Sequence, residues 1–217
     1  MTLPPTFKCW PALLALALLL SALPAQAQRA AAQMPPELTQ ADAALVLRGQ
    51  ARFRVWGFEV YDASLWTAPG FAADAFDAQP LALELRYLRD FSAQDIAQRS
   101  LKEVQRQSAV RPEQEKRWLG EMLRVFPDIR KGDRLLGLHR PGQGVVFWFN
   151  GQLRGEIRDA DFARLFFGIW LSPRTSEPAL RSALLGSAPC GPPTAGAMPR
   201  CMACWACPWP LPPCLCM

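Results

Sequence analysis

Between residues 28 and 189 the chain has no cysteine at all. That stretch is therefore built neither on a disulfide framework nor around thiolate metal ligands, and it must hold itself together by an apolar core. Histidine is almost missing too. The single copy, His139, stands before Arg140-Pro141-Gly142, a turn signal, and is expected as an exposed loop residue. No glycine-rich phosphate cradle or dinucleotide fingerprint is present. No basic stripe is concentrated anywhere: 24 Lys and Arg are interspersed with 19 Asp and Glu for a net charge of +5. A balance so mild and so mixed speaks for solubility and against a nucleic-acid partner. Nor is there an apolar run of the roughly 20 residues a membrane-spanning helix requires.

The ends differ from the middle. Lys8, the apolar run Ala12 to Leu20, Pro24 and Ala25-Gln26-Ala27 have the order of a cleavable secretory leader: basic residue, short apolar stretch, small-x-small site. Residues 1–27 are expected to be removed near Ala27, placing the chain in a periplasm or outside the cell with no stable membrane insertion. No cysteine follows the site, so lipid attachment there is not expected. At the other end Cys190, Cys201, Cys204, Cys207, Cys214 and Cys216 crowd into a proline-rich tail, 188–217. The spacing Cys201-x-x-Cys204-x-x-Cys207 suits metal ligation, but thiols on an oxidising side of a membrane favour disulfides, and six cysteines allow many pairings. The tail is read as a disordered extension, with no metal site assigned and no cofactor expected.

Residues 28–42 read as a flexible lead-in and 43–187 as one domain. Leu45, Leu47, Ala51, Phe53 and Val55 alternate with Arg48, Gln50, Arg52 and Arg54, the period of a half-buried strand. A second strand from Glu59 to Trp66 and a third over Leu81 to Leu88 follow. Ser92 with Asp95 opens a helix as a capping box, with Ala93, Ile96, Ala97, Leu101 and Val104 at helical spacing. Pro112 fits the first turn of another helix. Strands return at Arg134 to His139, Val145 to Phe149 and Gln152 to Ile157, the last pair joined by Asn150-Gly151, a two-residue hairpin turn. Asp159 caps a helix carrying Phe162, Phe166, Phe167 and Trp170, an aromatic ridge read as core, and a last helix spans about Glu177 to Leu185. Strands, helices, strands, helices in that order predict an α+β domain with a large, mostly antiparallel sheet and helices packed on one side.

Gly49-Gln-Ala-Arg-Phe-Arg, Phe58-Glu-Val-Tyr-Asp-Ala-Ser-Leu-Trp66, Lys131-Gly132-Asp133, the Asn150-Gly151 hairpin and Asp161-Phe162-Ala163 running into Phe166 to Leu171 together resemble the exported bacterial members of the chalcone isomerase-like proteins. The resemblance covers about residues 43 to 187. It implies that family's fold with a ligand cleft between sheet and helices; some relatives isomerise chalcones and others bind fatty acids. In the isomerases an arginine on the first strand, a threonine on the second, and a tyrosine and an asparagine on the next helix surround the substrate. Here Phe53 stands at the arginine position with Arg52 and Arg54 on either side, Tyr61 replaces the threonine, Phe91 or Ser92 falls in the tyrosine region, and Arg99 lies near the asparagine. A benzyl ring supplies neither charge nor hydrogen bond to a developing enolate, so flavonoid isomerisation is not expected. Binding of a small apolar or carboxylated molecule such as a fatty acid is, with Arg52, Arg54, Tyr61 and Arg99 as candidate ligand contacts. An isomerase acting on another phenolic molecule is one alternative, and requires a bulge that turns Arg52 or Arg54 into the cleft. An envelope scaffold is another, and requires a sealed cleft with Phe167 or Trp170 exposed.

Overall fold

A computed structural model describes residues 34–40 and 44–186; the expected leader and the cysteine-bearing tail lie outside the described residues. Six strands form one sheet in chain order: β1 (Val46–Val55), β2 (Phe58–Thr67), β3 (Leu81–Tyr87), β4 (Arg134–Arg140), β5 (Gly144–Phe149) and β6 (Gln152–Ile157). Every neighbouring pair is antiparallel. The helices are α1 (Pro36–Gln40), α2 (Ala93–Gln107), α3 (Pro112–Val125), α4 (Ala160–Leu171) and α5 (Pro178–Leu184), with a 3-10 segment at Ala73–Ala78. The α+β class and the antiparallel sheet expected from the alternation are thus present.

The helix starts follow from local chemistry. Ser92 Oγ accepts from the Asp95 amide at 3.1 Å, and Asp159 Oδ1 accepts from the Phe162 amide at 2.9 Å, so each side chain satisfies a donor that the first helical turn leaves unpaired. Pro112 sits at the start of α3, where its missing N–H is no loss. The principal core lies between the sheet and the helices. Leu83, Leu85, Leu135 and Phe147 from the strands meet Leu101 and Val104 of α2, Trp118 and Met122 of α3, and Phe162, Phe166 and Phe167 of α4. The aromatic ridge of α4 is core as expected: Phe167 is 1% and Trp170 6% exposed.

Two features depart from the sequence reading. The span expected as a loose lead-in contains α1, whose Leu38 is fully buried and whose Glu37 carboxylate pairs with Arg134 of β4. Arg134 also holds Glu84 of β3 at 3.0 Å, so one guanidinium is shared by two carboxylates. His139 is not a loop residue. It is the penultimate residue of β4, opposite Leu81 and Val145, and only 2% exposed. Its Nδ1 donates to the Gln79 carbonyl at 2.9 Å, and its ring meets Phe167 edge-on. The turn signal was real, but strand pairing continues past the histidine to Arg140 before the chain reverses.

Gly49 explains how β1 joins the core. A Cβ there would lie 2.4 Å from the carbonyl oxygens of both Ala183 and Leu184. Only glycine lets α5 approach the strand so closely, and Arg48 Nε donates to the Leu185 carbonyl at 3.0 Å beside it.

Candidate functional site

A cavity of about 250 Å³ opens between the sheet and α2, α4 and α5. Its floor is aromatic, because three neighbouring strands present rings at matching register. Phe53 of β1 stands opposite Tyr61 of β2, which stands opposite Tyr87 of β3. Their centroids are 5.0 Å apart for Phe53 and Tyr61 and 5.9 Å for Tyr61 and Tyr87, and Phe91 continues the row at 5.8 Å. Phe126, Phe166 and Trp170 supply the facing wall.

Two phenols supply polarity on this apolar floor. Tyr61 accepts a hydrogen bond from Trp170 Nε1 at 2.9 Å, which leaves its own O–H able to donate. Tyr87 forms no side-chain hydrogen bond among the described residues, though the residue is 4% exposed. Burial pushes both hydroxyls well above the ordinary tyrosine range, so both are neutral donors at any physiological pH.

The charged groups gather on one side. Asp95, Arg99 and Glu103 come from α2 and Glu177 from the turn before α5. Glu103 is 6% exposed; its Oε2 accepts from Ser176 Oγ at 2.9 Å, and Arg99 Nη2 lies 2.8 Å from its Oε1. Arg99 is thus already engaged by a carboxylate. With three acids to one guanidinium, this wall is net negative.

Of the four residues singled out from sequence, Tyr61 and Arg99 line the cavity; Arg52 and Arg54 do not. A bulge does exist, between Phe53 and Arg54 in their pairing with β2, but it leaves the arginines on the outer face. Arg52 makes two hydrogen bonds to Asp62, at 2.6 and 2.9 Å, and one to Glu59 at 2.8 Å, and Arg54 shares Glu59 at 2.9 Å. Because side chains alternate between faces, Phe53 points in and its neighbours point out. The condition set for the isomerase alternative is therefore not met by this geometry, and the open cleft with buried Phe167 and Trp170 does not meet the condition set for the scaffold. Sequence reasoning missed Tyr87, Glu103 and Glu177. A signal existed for the first two: Tyr87 ends the inward set Leu83 and Leu85, and Glu103 interrupts the buried stripe of α2 between Leu101 and Val104.

No helix among the described residues is long and apolar enough to cross a membrane, and those residues hold no cluster of metal-ligating side chains. A family model described as chalcone isomerase-like matches residues 26–186, starting earlier than the resemblance read from the sequence. An uncharacterized protein of Haemophilus influenzae is 30% identical over 139 residues, which cover 64% of this chain and 66% of that protein, just under two thirds of its length. The crystal structure of an Arabidopsis thaliana fatty-acid binding protein superimposes with a TM-score of 0.52 at 11% identity, covering 65% of this chain and 86% of that one. At such low identity the likeness is one of fold.

Proposed function

Because this chain belongs to the chalcone isomerase-like family, we propose that it is a binding protein whose cavity holds a small, largely apolar molecule with its polar end at the Tyr61 and Tyr87 hydroxyls. The observation that carries this reading is the cavity itself: an aromatic floor with two neutral donors, one of them without an internal partner. Apolar pockets with a few convergent polar groups are the usual form of small-molecule sites. A dry cavity of about 150 Å³ accepts benzene, so about 250 Å³ suits a bicyclic ring or a chain of moderate length. The fatty-acid binding activity named for the Arabidopsis structure supports an aliphatic ligand. The charge pattern favours a neutral head such as a hydroxyl or carbonyl over a free carboxylate, since Arg99 is occupied by Glu103 and flanked by Asp95 and Glu177. The leader read in residues 1–27 supports a periplasmic or secreted location, which N-terminal sequencing of the mature chain from cell fractions tests.

Native mass spectrometry in the presence of decanol, decanoate and naphthol tests the binding. Retention of at least one, with a rise in thermal midpoint that grows with ligand concentration, is the expected outcome; at a hundredfold excess over Kd the stabilisation is about 2.7 kcal/mol. No retention and no shift with any of the three would sink the reading.

A further inference from the structure

The turn that joins β1 to β2 is Trp56-Gly57, with φ of 47° and 81°. Both positions are left-handed, as in the favoured two-residue hairpin, and the β5–β6 turn fills the same geometry with Asn150 and Gly151 at 48° and 87°. Asparagine is at home there; a bulky residue at positive φ is an outlier. Trp56 gains no burial in return, since it is 93% exposed. Phe58, 60% exposed, stands beside it, with the Arg89 guanidinium 5.0 Å from its ring centroid. Local strain and an exposed indole together stabilise nothing within the fold, so their use lies outside it.

We propose that this hairpin tip docks peripherally on the surface of a lipid bilayer, with Trp56 and Phe58 at the level of the headgroups. Indole rings favour the membrane–water boundary, where the apolar ring and the N–H each find a suitable medium. Two side chains on a convex turn fall far short of the roughly 800 Å² per partner that a stable protein interface buries, whereas a bilayer receives side chains singly. The charge agrees with an anionic surface: Arg52, Arg54 and Arg89 outnumber Glu59 and Asp62 on the hairpin and beside it, and Arg54 is 57% exposed. The tip is also continuous with the cavity, since Phe53 and Val60, three and two residues from the exposed rings, both line it. On the ligand reading above, which this consequence rests on, docking brings the cavity next to the phase in which an apolar ligand dissolves.

The experiment is backbone hydrogen exchange of the full chain with and without vesicles of phosphatidylcholine and phosphatidylglycerol, read on the segment 54–59. Exchange there is expected to slow when vesicles are added. The double variant Trp56→Asn with Phe58→Ser is expected to lose that slowing and to bind vesicles roughly tenfold less or weaker still, as removal of two apolar contacts predicts. Trp56→Asn restores the favoured Asn-Gly turn, so the thermal midpoint is expected not to fall and unfolding does not confuse the result. No slowing on vesicles overturns the proposal and leaves the tip to a protein partner. Slowing that persists in the double variant overturns it as well. The failure of the cavity to retain decanol is a separate result, and sinks the ligand reading without touching the docking of the hairpin.

Discussion

Tyr61 and Tyr87 sit edge to face on the cavity floor, and their hydrogen bonding separates what each contributes. Removing the Tyr61 hydroxyl leaves the Trp170 indole N–H without its acceptor, so Tyr61→Phe is expected to destabilise the fold by about 1–3 kcal/mol. Tyr87→Phe removes a hydroxyl with no internal partner and is expected to leave the urea midpoint almost unchanged while weakening retention of decanol. Equal retention by the Tyr87 variant and the parent would show that this phenol does not meet the ligand. Asp159 is a third residue with separable roles: it caps α4 and its Oδ2 also accepts from Trp118 Nε1 at 2.9 Å and from Arg117 at 2.6 Å. Asp159→Ala combines a lost cap with a stranded indole and is expected to cost about 2–4 kcal/mol in urea unfolding. At this scale the sequence revealed Asp159 as a cap and Tyr61 as a site residue, because both follow from local pattern. It did not reveal Tyr87 or the cavity. Alternation says which residues point inward, and a cavity is the place where inward residues fail to fill space, which only the packed volumes determine.

Among the elements, hairpins and capped helices were the most legible. The odd-residue alternation of β1, the Asn150-Gly151 turn and the Ser92 and Asp159 caps each encode their geometry within a few neighbouring residues. What the pattern could not show was how far a strand runs past a turn signal, as at His139, or that a short helix such as α1 would be secured by partners remote in sequence. The edges of the sheet are protected by recognisable means. β1 carries two irregularities in register and a row of outward arginines, and on β6 the Glu156 carbonyl accepts from Arg124 of α3 at 2.7 Å, both of which discourage pairing with another chain. Gly49 is the most sensitive contact between elements. Gly49→Ala drives a methyl into the α5 backbone, which has no side-chain rotamer with which to yield. A loss of about 1–3 kcal/mol or more is expected, seen as a lowered thermal midpoint, with faster hydrogen exchange in 178–184 than elsewhere. A variant with parental stability would mean that α5 does not pack on β1 as described.

For the whole molecule, buried titratable groups set the response to acid. Burial pulls the His139 imidazole below its ordinary 6.5, partly offset by the Gln79 carbonyl and Asp77. The unfolded chain therefore takes up a proton before the folded one does, and stability declines as pH falls below about 6.5. Burial pushes the Asp159 carboxyl up, but the Phe162 amide, the Trp118 indole and Arg117 outweigh it and hold the group below its ordinary 3.8. That contribution is present above 3.8 and lost as pH falls through the depressed value. Both effects have the same sign and should appear as two successive losses in a series of urea midpoints from neutral to acidic pH. His139→Gln, which keeps a donor for Gln79, is expected to remove the first loss and leave the second; persistence of the first would mean that another group is titrating.

The order of the strands has a consequence for how the molecule is made. Five successive pairings run between neighbours in the chain, so the sheet can zip from its first strand as the polypeptide emerges, each step closing a limited loop. The contact of Gly49 with Ala183 and Leu184 is of another kind, because it joins nearly the two ends of the described domain. Until residue 184 is available, β1 has no cover over that glycine and the cavity has no α5 wall. A ribosome delivering this chain thus presents a nearly complete sheet that cannot yet hold a ligand, and competence comes in a single late step when the last helix closes over the first strand.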